Sequence, residues 1–241
     1  MRTAFIILLT AILANGCDRK RPHSAPQSAG PVRTGTATIH GTVTLSGKPP
    51  EVPMIPNQPC HAGAGPLKDE TVVVDPAGHL QNVIVYLESA PPAPATSPPP
   101  VTLDQVNCRY VPHVIALQTG QTLHVTTSDP TLHNVHGSCA LNDPFNFALV
   151  APGQSKDLTF SEPERFPVRC DVHPWMKAYI QIFPHPYFAV TAPNGSFEIK
   201  NVPAGSYTLV AWQEKYGTLK LPVTVEDGKA VPASFTFQSG L

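Results

Sequence analysis

Cys170-Asp-Val-His-Pro-Trp-Met176 is the stretch of this 241-residue chain that decides its fold. It follows the run Phe166-Pro-Val-Arg, whose apolar residues alternate in step with Cys170. A period of two predicts a β-strand that points Cys170 toward the core. Pro174 has no N–H to donate, so the strand ends and the chain turns. A second alternating run, from Ala178 to Phe183, predicts the last strand of the same sheet.

The turn after this strand brings three kinds of metal donor together. Cys170 offers a thiolate, His173 an imidazole and Met176 a thioether, and a second imidazole comes from His133 in the earlier segment His133-Asn-Val-His136. Two imidazoles, one thiolate and a weak axial thioether form the trigonal set of an electron-transfer copper site, and soft sulfur donors disfavour magnesium, calcium and manganese. The sequence therefore predicts one copper ion, cycling between Cu(I) and Cu(II), at these four residues.

The same residues allow other interpretations. A buried cysteine or methionine is an ordinary core residue, so Cys170 alone would indicate no metal. Structural zinc prefers several thiolates, and Met176 would contribute nothing to it. His136 is expected at the surface or in packing, outside the ligand set. The remaining histidines are expected to form hydrogen bonds, as for His113 and His124, or to lie at the surface, as for His185.

From Val101 to Phe183 the chain resembles a small cupredoxin, closer to the amicyanins than to the plastocyanins. The resemblance is carried by Gly120 before an alternating run, by His133-Asn-Val-His136, and by Cys170-x2-His-Pro-aromatic-Met. It implies a Greek-key β-sandwich and the same four copper ligands. Asn134 matches the residue that ties the two ligand loops together in that family, which fixes ligand orientation.

Catalytic copper is the enzymatic alternative. In multicopper oxidases and copper nitrite reductases, histidines beside the thiolate connect it to a second metal centre, whereas Arg169 and Asp171 flank Cys170 here. Four protein donors would also leave no open position, and catalytic metals keep one. The chain is therefore not expected to be an enzyme.

Composition supports a β-rich chain without a nucleic-acid partner. Charged residues make up 14%, while 29 prolines and 16 glycines suit short strands joined by turns. The formal net charge of −1 argues against binding to nucleic acid.

The N-terminus predicts export. Residues 1–16 form a signal peptide, with an apolar run too short to span a membrane. Leu13-Ala-Asn-Gly-Cys17 resembles a bacterial lipobox, which implies that Cys17 carries a lipid and that residues 17–35 form a flexible tether. We expect a periplasm-facing envelope lipoprotein. Ordinary cleavage after Gly16, giving a soluble periplasmic or secreted protein, remains the alternative.

Five cysteines suit an oxidising compartment. With Cys17 assigned to lipid and Cys170 to copper, three remain, and at least one thiol must be free. Cys60 with Cys108 is the preferred disulfide because Cys139 belongs to the loop on the copper side. Sequence alone leaves the other pairings open.

The flanks, residues 36–90 and 184–241, read as short strands and turns, and residues 91–100 as a proline-rich linker. Gly41-Thr-Val-x5-Pro49 and Asn194-Gly-x-Phe197-x5-Pro203-x-Gly205 resemble a carboxypeptidase regulatory-like module, an Ig- or transthyretin-like β-sandwich. The cupredoxin segment, residues 101–183, would then be inserted in this second small sandwich. Two separate flanking modules joined to it are the simpler alternative.

The leading functional hypothesis is a membrane-tethered carrier that exchanges single electrons with a c-type cytochrome or a membrane oxidase. The electron port would be His173, Pro174 and Trp175, an apolar collar suited to brief docking. One alternative is a copper-holding or copper-delivery protein. Another is a cell-envelope carbohydrate-binding sandwich with a vestigial copper site, in which Trp212 and Tyr216 would stack on sugar, although aromatics at strand spacing favour the core.

Overall fold

The computed structural model describes residues 35–55, 65–91, 93 and 97–240, and within these residues the chain is all β, as predicted. No helix in this part of the chain is long and apolar enough to cross a membrane. The signal peptide, the lipidation site Cys17 and the disulfide candidate Cys60 lie outside the described residues. The strands are β1 (Ala37–Ser46), β2 (Met54–Ile55), β3 (Leu67–Lys68), β4 (Ile84–Leu87), β5 (Val101–Gln105), β6 (Tyr110–Val111), β7 (Val114–Gln118), β8 (Leu123–Thr127), β9 (His133–Gly137), β10 (Phe145–Leu149), β11 (Ser155–Leu158), β12 (Arg165–Arg169), β13 (Lys177–Phe183), β14 (Phe188–Val190), β15 (Ser196–Val202), β16 (Gly205–Gln213), β17 (Gly217–Val225), β18 (Ala230–Pro232) and β19 (Phe235–Gln238).

The strands form two sandwiches, one inserted in the other. The flank sandwich has one sheet ordered β15-β1-β18, with β19 also paired to β1, and another ordered β14-β4-β16-β17. Both sheets combine strands from before β5 and after β13, so the two flanks build a single sandwich. The insert sandwich has sheets ordered β10-β9-β12-β13-β7 and β11-β8-β5-β6.

The flank sandwich is organised around β1. Ile39 and Val43 are fully buried, as the alternation along this strand predicts. Gly41 lies between them. Only glycine fits at this position, because an added Cβ would come within 1.4 Å of the carbonyl oxygen of Ala233. A side chain at this position would therefore separate β1 from the segment that leads into β19.

The insert sandwich is fixed by the strands that frame the segment 170–176, called the ligand loop below. Phe166 and Val168 on β12 and Ala178 and Ile180 on β13 are all buried, at 1% exposure or less. The antiparallel register sets Val168 opposite Ala178 and Phe166 opposite Ile180. Burial of a side chain such as Phe166 contributes about 1.5–3 kcal/mol, so both ends of the loop are anchored in the core. The alternation predicted for these two strands is confirmed.

The two sandwiches share an apolar interface. Ile84 and Trp212 of the flank sandwich pack with Val114 and Phe183 of the insert sandwich. Trp212 is only 7% exposed, and the Arg165 guanidinium lies 4.1 Å from its ring centroid. Trp212 is therefore an interface residue and offers no open face for stacking on a sugar.

Candidate metal centre

The predicted ligands lie at the ends of two paired strands. His133 is the first residue of β9 and is fully buried. Cys170 directly follows β12, which pairs with β9. His173 lies in the ligand loop between β12 and β13. Strand pairing therefore brings His133 beside a loop that is distant from it in sequence.

Three donor atoms converge at this edge of the insert sandwich. His173 Nδ1 lies 3.0 Å from His133 Nδ1 and 3.7 Å from Cys170 Sγ. His133 Nε2 lies 2.8 Å from Oδ2 of Asp129, so a neutral His133 carries its proton on Nε2 and a lone pair on Nδ1. Two imidazole nitrogens and a thiol sulfur facing one point form a donor set that suits copper.

Met176 closes the ligand loop from the inside. Its N–H donates to the carbonyl oxygen of His173 at 2.8 Å, and its carbonyl oxygen accepts the N–H of Cys170 at 3.2 Å. Its side chain is 1% exposed and belongs to the same apolar cluster as Cys170. The structure thus buries the predicted axial ligand on the loop that carries the thiol.

The thiol and the buried histidine stabilise each other's charged forms. Burial opposes ionisation of Cys170, but hydrogen bonds from His133 and from backbone N–H groups outweigh it and lower the pKa of the thiol below its ordinary value. Burial also opposes protonation of His133, yet hydrogen bonds to Cys170 and Asp129 raise its pKa above the usual range. The site therefore favours a thiolate, the form of cysteine that binds a metal cation.

A buried carboxylate that sequence reasoning did not single out orients His133. Asp129 is 4% exposed and accepts the N–H groups of Asn107 at 2.6 Å and Cys108 at 2.8 Å, besides its bond to His133. Asn107 and Cys108 have positive φ angles of 54° and 53°, a conformation that turns both N–H groups to one side. The only sequence signal was the spacing of four residues between Asp129 and His133.

Asn134 lies between the two ligand segments. Its Oδ1 accepts the N–H of Asp171 at 2.7 Å, and its Nδ2 donates to Oδ2 of Asp171 at 2.7 Å. Because Asp171 follows Cys170, these bonds fix the backbone next to the thiol. His136 hydrogen-bonds Asp171 at 3.0 Å with its side chain 42% exposed, so it lies outside the donor cluster.

A second sulfur approaches the same histidines. Cys108 Sγ lies 3.9 Å from His133 Nε2, and Cys108, His133 and His173 offer donor atoms within 4.8 Å of one another. Cys108 is disulfide-bonded, so its sulfur is not available as a thiolate. Cys170 is therefore the free thiol beside the two histidines, and the predicted disulfide partner, Cys60, lies outside the described residues.

Cys139 differs from Cys170 in its surroundings. Both are free thiols among the described residues. Burial first, and then the negative charges of Glu164 and Asp143, raise the pKa of Cys139 to about 11. Cys139 therefore stays protonated at neutral pH, while hydrogen bonds favour the thiolate of Cys170.

The His173 side of the site reaches the surface. Pro174 is exposed, and the half-buried Trp175 ring lies 5.2 Å from the His173 ring, centroid to centroid. Leu132 and Val172, which directly precede His133 and His173 in sequence, are 44% and 52% exposed. The surface next to the two histidines is therefore largely apolar.

Residues 184–232 match a family model described as "Polysaccharide lyase family 4, domain II". No curated protein matches the chain. This match is to a different family from the carboxypeptidase regulatory-like module that the flanks resemble in sequence, so that resemblance stays a prediction.

Among solved structures, the Cu-containing nitrite reductase (NirK) from Thermus scotoductus SA-01 is 25% identical, with a TM-score of 0.34 over 39% of this chain and 25% of its own. Amicyanin from Paracoccus versutus (Thiobacillus versutus) is 18% identical, with a TM-score of 0.32 over 41% of this chain and 97% of its own. A methionine-to-glutamine mutant of amicyanin in the Cu(I) state is 19% identical, with a TM-score of 0.32 over 35% of this chain and 82% of its own. The chain thus spans a quarter of the nitrite reductase, and the chemistry of its site depends on its own side chains.

Proposed function

We propose that the insert sandwich holds one copper ion and carries single electrons between redox partners. His133, Cys170 and His173 would be the equatorial ligands and Met176 the weak axial one. The observation that carries the proposal is the convergence of three donor atoms. His133 Nδ1 lies 3.0 Å from His173 Nδ1, and Cys170 Sγ lies 3.7 Å from His173 Nδ1. Bound copper would supply one-electron chemistry between Cu(I) and Cu(II).

The arrangement of these residues favours electron transfer over catalysis. Catalytic metals keep an open coordination position, whereas four protein donors would close this site. Asp129 holds the ring of His133 from behind, and Asn134 holds the backbone beside Cys170. Ligands fixed by the protein need little rearrangement when the charge on the metal changes.

Electrons would pass at the exposed edge of His173, next to Pro174 and Trp175. An apolar surface of this kind suits the small, weak interfaces of redox proteins. The proposed partners are a c-type cytochrome or a membrane oxidase. A lipid on Cys17 would hold the chain at the membrane on the periplasmic side. Cleavage after Gly16 would instead leave it soluble in the periplasm or secreted.

Two thiol variants test the proposal. The full chain loaded with one equivalent of Cu(II) is expected to be intensely blue and to undergo reversible one-electron reduction. Cys170→Ser should lose the colour and most Cu(II) affinity while its circular dichroism stays β-type, and Cys139→Ser should stay blue. A blue Cys170→Ser protein would end the proposal. Tight Cu(I) binding by the wild type without a blue Cu(II) form would favour copper holding or delivery instead.

A second proposal, carbohydrate binding by the flank sandwich, is favoured by the family match over residues 184–232. Trp212 is buried in the interface, so a sugar site would have to use other side chains. Isothermal titration calorimetry with a panel of soluble polysaccharides tests this directly. Binding that survives Cys170→Ser would support it, and no heat with any polysaccharide would contradict it.

A further inference from the structure

An ionic cluster with a buried centre joins the flank sandwich to the residue after the predicted axial ligand. Lys177 follows Met176 and is the first residue of β13. Its Nζ lies 3.0 Å from Oε2 of Glu214 and 3.9 Å from Oδ2 of Asp69, and it hydrogen-bonds the hydroxyl of Thr71. Glu214, Asp69 and Thr71 all lie in the flanks, outside the insert sandwich. The start of β13 is therefore held by the other sandwich.

The same cluster also holds the backbone of Lys177. His113, which lies between β6 and β7, has its Nδ1 3.1 Å from the Lys177 carbonyl oxygen, and its Nε2 hydrogen-bonds Oε1 of Glu214. The side chains of His113 and Glu214 are 3% and 5% exposed. Glu214 thus reaches Lys177 by two routes, directly at Nζ and through His113 at the carbonyl.

Glu214 sits on a turn that is itself fixed. It directly follows Gln213, the last residue of β16, whose side chain is almost fully buried. Gln213 Oε1 accepts the N–H groups of Lys215 at 2.7 Å and Tyr216 at 3.0 Å, and its Nε2 donates to the carbonyl oxygen of Thr71. The carboxylate is therefore presented by a rigid support.

On its other side, Lys177 continues directly into the ligand loop. The Met176 N–H is bonded to His173 and its carbonyl oxygen to the N–H of Cys170. His113 and Glu214 are buried and Lys177 is 19% exposed, and charged groups with so little access to water keep one arrangement because an unpaired charge there is disfavoured. A change at Glu214 would therefore move the Lys177 end of the loop rather than be absorbed by solvent.

We propose that Glu214 of the flank sandwich is a positioning residue for the metal centre, acting through Lys177 and His113 to fix Met176. This inference rests on the proposed copper function. The flank sandwich is then part of the support of the metal centre and more than a spacer.

Glu214→Gln tests the inference, because it keeps the size of the side chain and removes its charge. Glu198→Gln is the matched control, since Glu198 also belongs to the flank sandwich and pairs with Lys200 at 3.0 Å, but is 51% exposed. In the metal-free full chain, Glu214→Gln is expected to speed hydrogen exchange at the amides of residues 176 and 177 about tenfold. The control should leave that exchange unchanged. In the Cu(II) form, only Glu214→Gln should shift the ratio of the visible bands and the electron paramagnetic resonance spectrum.

Thr71→Val is the second variant, needed if Glu214→Gln does not fold. It removes one hydrogen-bond partner of Lys177 Nζ and should give a smaller change in the same direction. Wild-type exchange rates at residues 176 and 177 in a folded variant would overturn the inference. A wild type that never forms a blue Cu(II) species would defeat the proposed function, while the metal-free exchange result would still decide whether Glu214 fixes this end of the loop.

Discussion

The two sandwiches are built from similar strand patterns, but they bury different chemistry. The hydrophobic core of the flank sandwich consists of aliphatic and aromatic side chains, and its buried polar residues Asn82, Thr191 and Gln213 lie apart from any cluster of sulfur and imidazole groups. The core of the insert sandwich also takes in Cys108, Cys170 and Met176, and Asp129 and His133 are buried beside them. Burying polar groups is costly unless they are paired, so their concentration at one edge marks a site, whereas the apolar core mainly supplies stability.

The largest expected effect comes from Asp129→Ala. This change leaves His133 and two backbone N–H groups without their buried acceptor, and we expect a loss of about 3–5 kcal/mol in the free energy of unfolding. Asp157→Ala is the control, because Asp157 also pairs with a histidine, His124, but its side chain is 65% exposed. Urea unfolding of both variants measures the difference. Equal losses would show that burial does not distinguish the two pairs.

His185 is another buried imidazole, and it lies near the junction of the two sandwiches. It is 6% exposed, so its prediction as a surface residue was wrong, and burial lowers its pKa to about 4. Its ring stacks on Phe183 and Tyr187, and its Nδ1 accepts the N–H of Tyr187 at 3.2 Å. The core around it therefore favours the neutral ring.

The lowered pKa of His185 predicts acid sensitivity. The unfolded state, with a histidine pKa near 6.5, binds more protons than the folded state, so stability present at neutral pH is lost as the pH falls from about 6.5 toward 4. We expect up to about 3 kcal/mol of this loss to come from His185. Urea unfolding of wild type and His185→Gln at pH 7 and pH 4.5 measures it. The same loss in both proteins would contradict the assignment.

Met176→Leu should change the copper more than the fold. A Leu-for-Met exchange in a core costs less than about 1.5 kcal/mol. Most of the copper should be retained, and the reduction potential should rise, because a weak donor that favours Cu(II) is replaced by apolar surface. Met54→Leu, at a methionine that is 52% exposed, is the control for voltammetry. Complete loss of copper from a folded Met176→Leu protein would make Met176 a principal ligand.

The smallest effect is expected at the exposed ion pair of Lys220 with Glu88, whose side chains are 54% and 43% exposed. Such pairs contribute about 0–1 kcal/mol because water and salt screen them. Lys220→Ala should therefore leave the unfolding midpoint in urea nearly unchanged. A loss comparable to that of Asp129→Ala would mean that surface charge, and not burial, sets the difference between the two regions.

The strands that frame the ligand loop could be predicted because their signal is local. Alternation of apolar residues is a property of the chain itself, and it placed Phe166, Val168 and Cys170 on the buried face. Pro174 likewise required a turn between β12 and β13. The donor types were predictable because a thiolate, an imidazole and a thioether lie within seven residues of the sequence, and this set of donors suits copper.

The supports of the site could not be predicted because they depend on which strands become neighbours. His113 meets Glu214 across 101 residues of chain, and Cys108 meets Asp129 across 21. The sequence predicted a hydrogen-bonding role for His113 and a disulfide for Cys108, but it could not name Glu214 and Asp129 as their partners. His185 was misplaced for the same reason, since its burial comes from packing at the junction and not from local alternation.

Copper K-edge X-ray absorption of the Cu(II)-loaded full chain identifies the atoms bound to the copper. We predict one short sulfur neighbour and two nitrogen neighbours, with the sulfur retained in Cys139→Ser and lost in Cys170→Ser. A wild-type spectrum with only nitrogen and oxygen neighbours, or a short sulfur neighbour that survives in Cys170→Ser, would contradict the assignment of His133, Cys170 and His173 as the copper ligands.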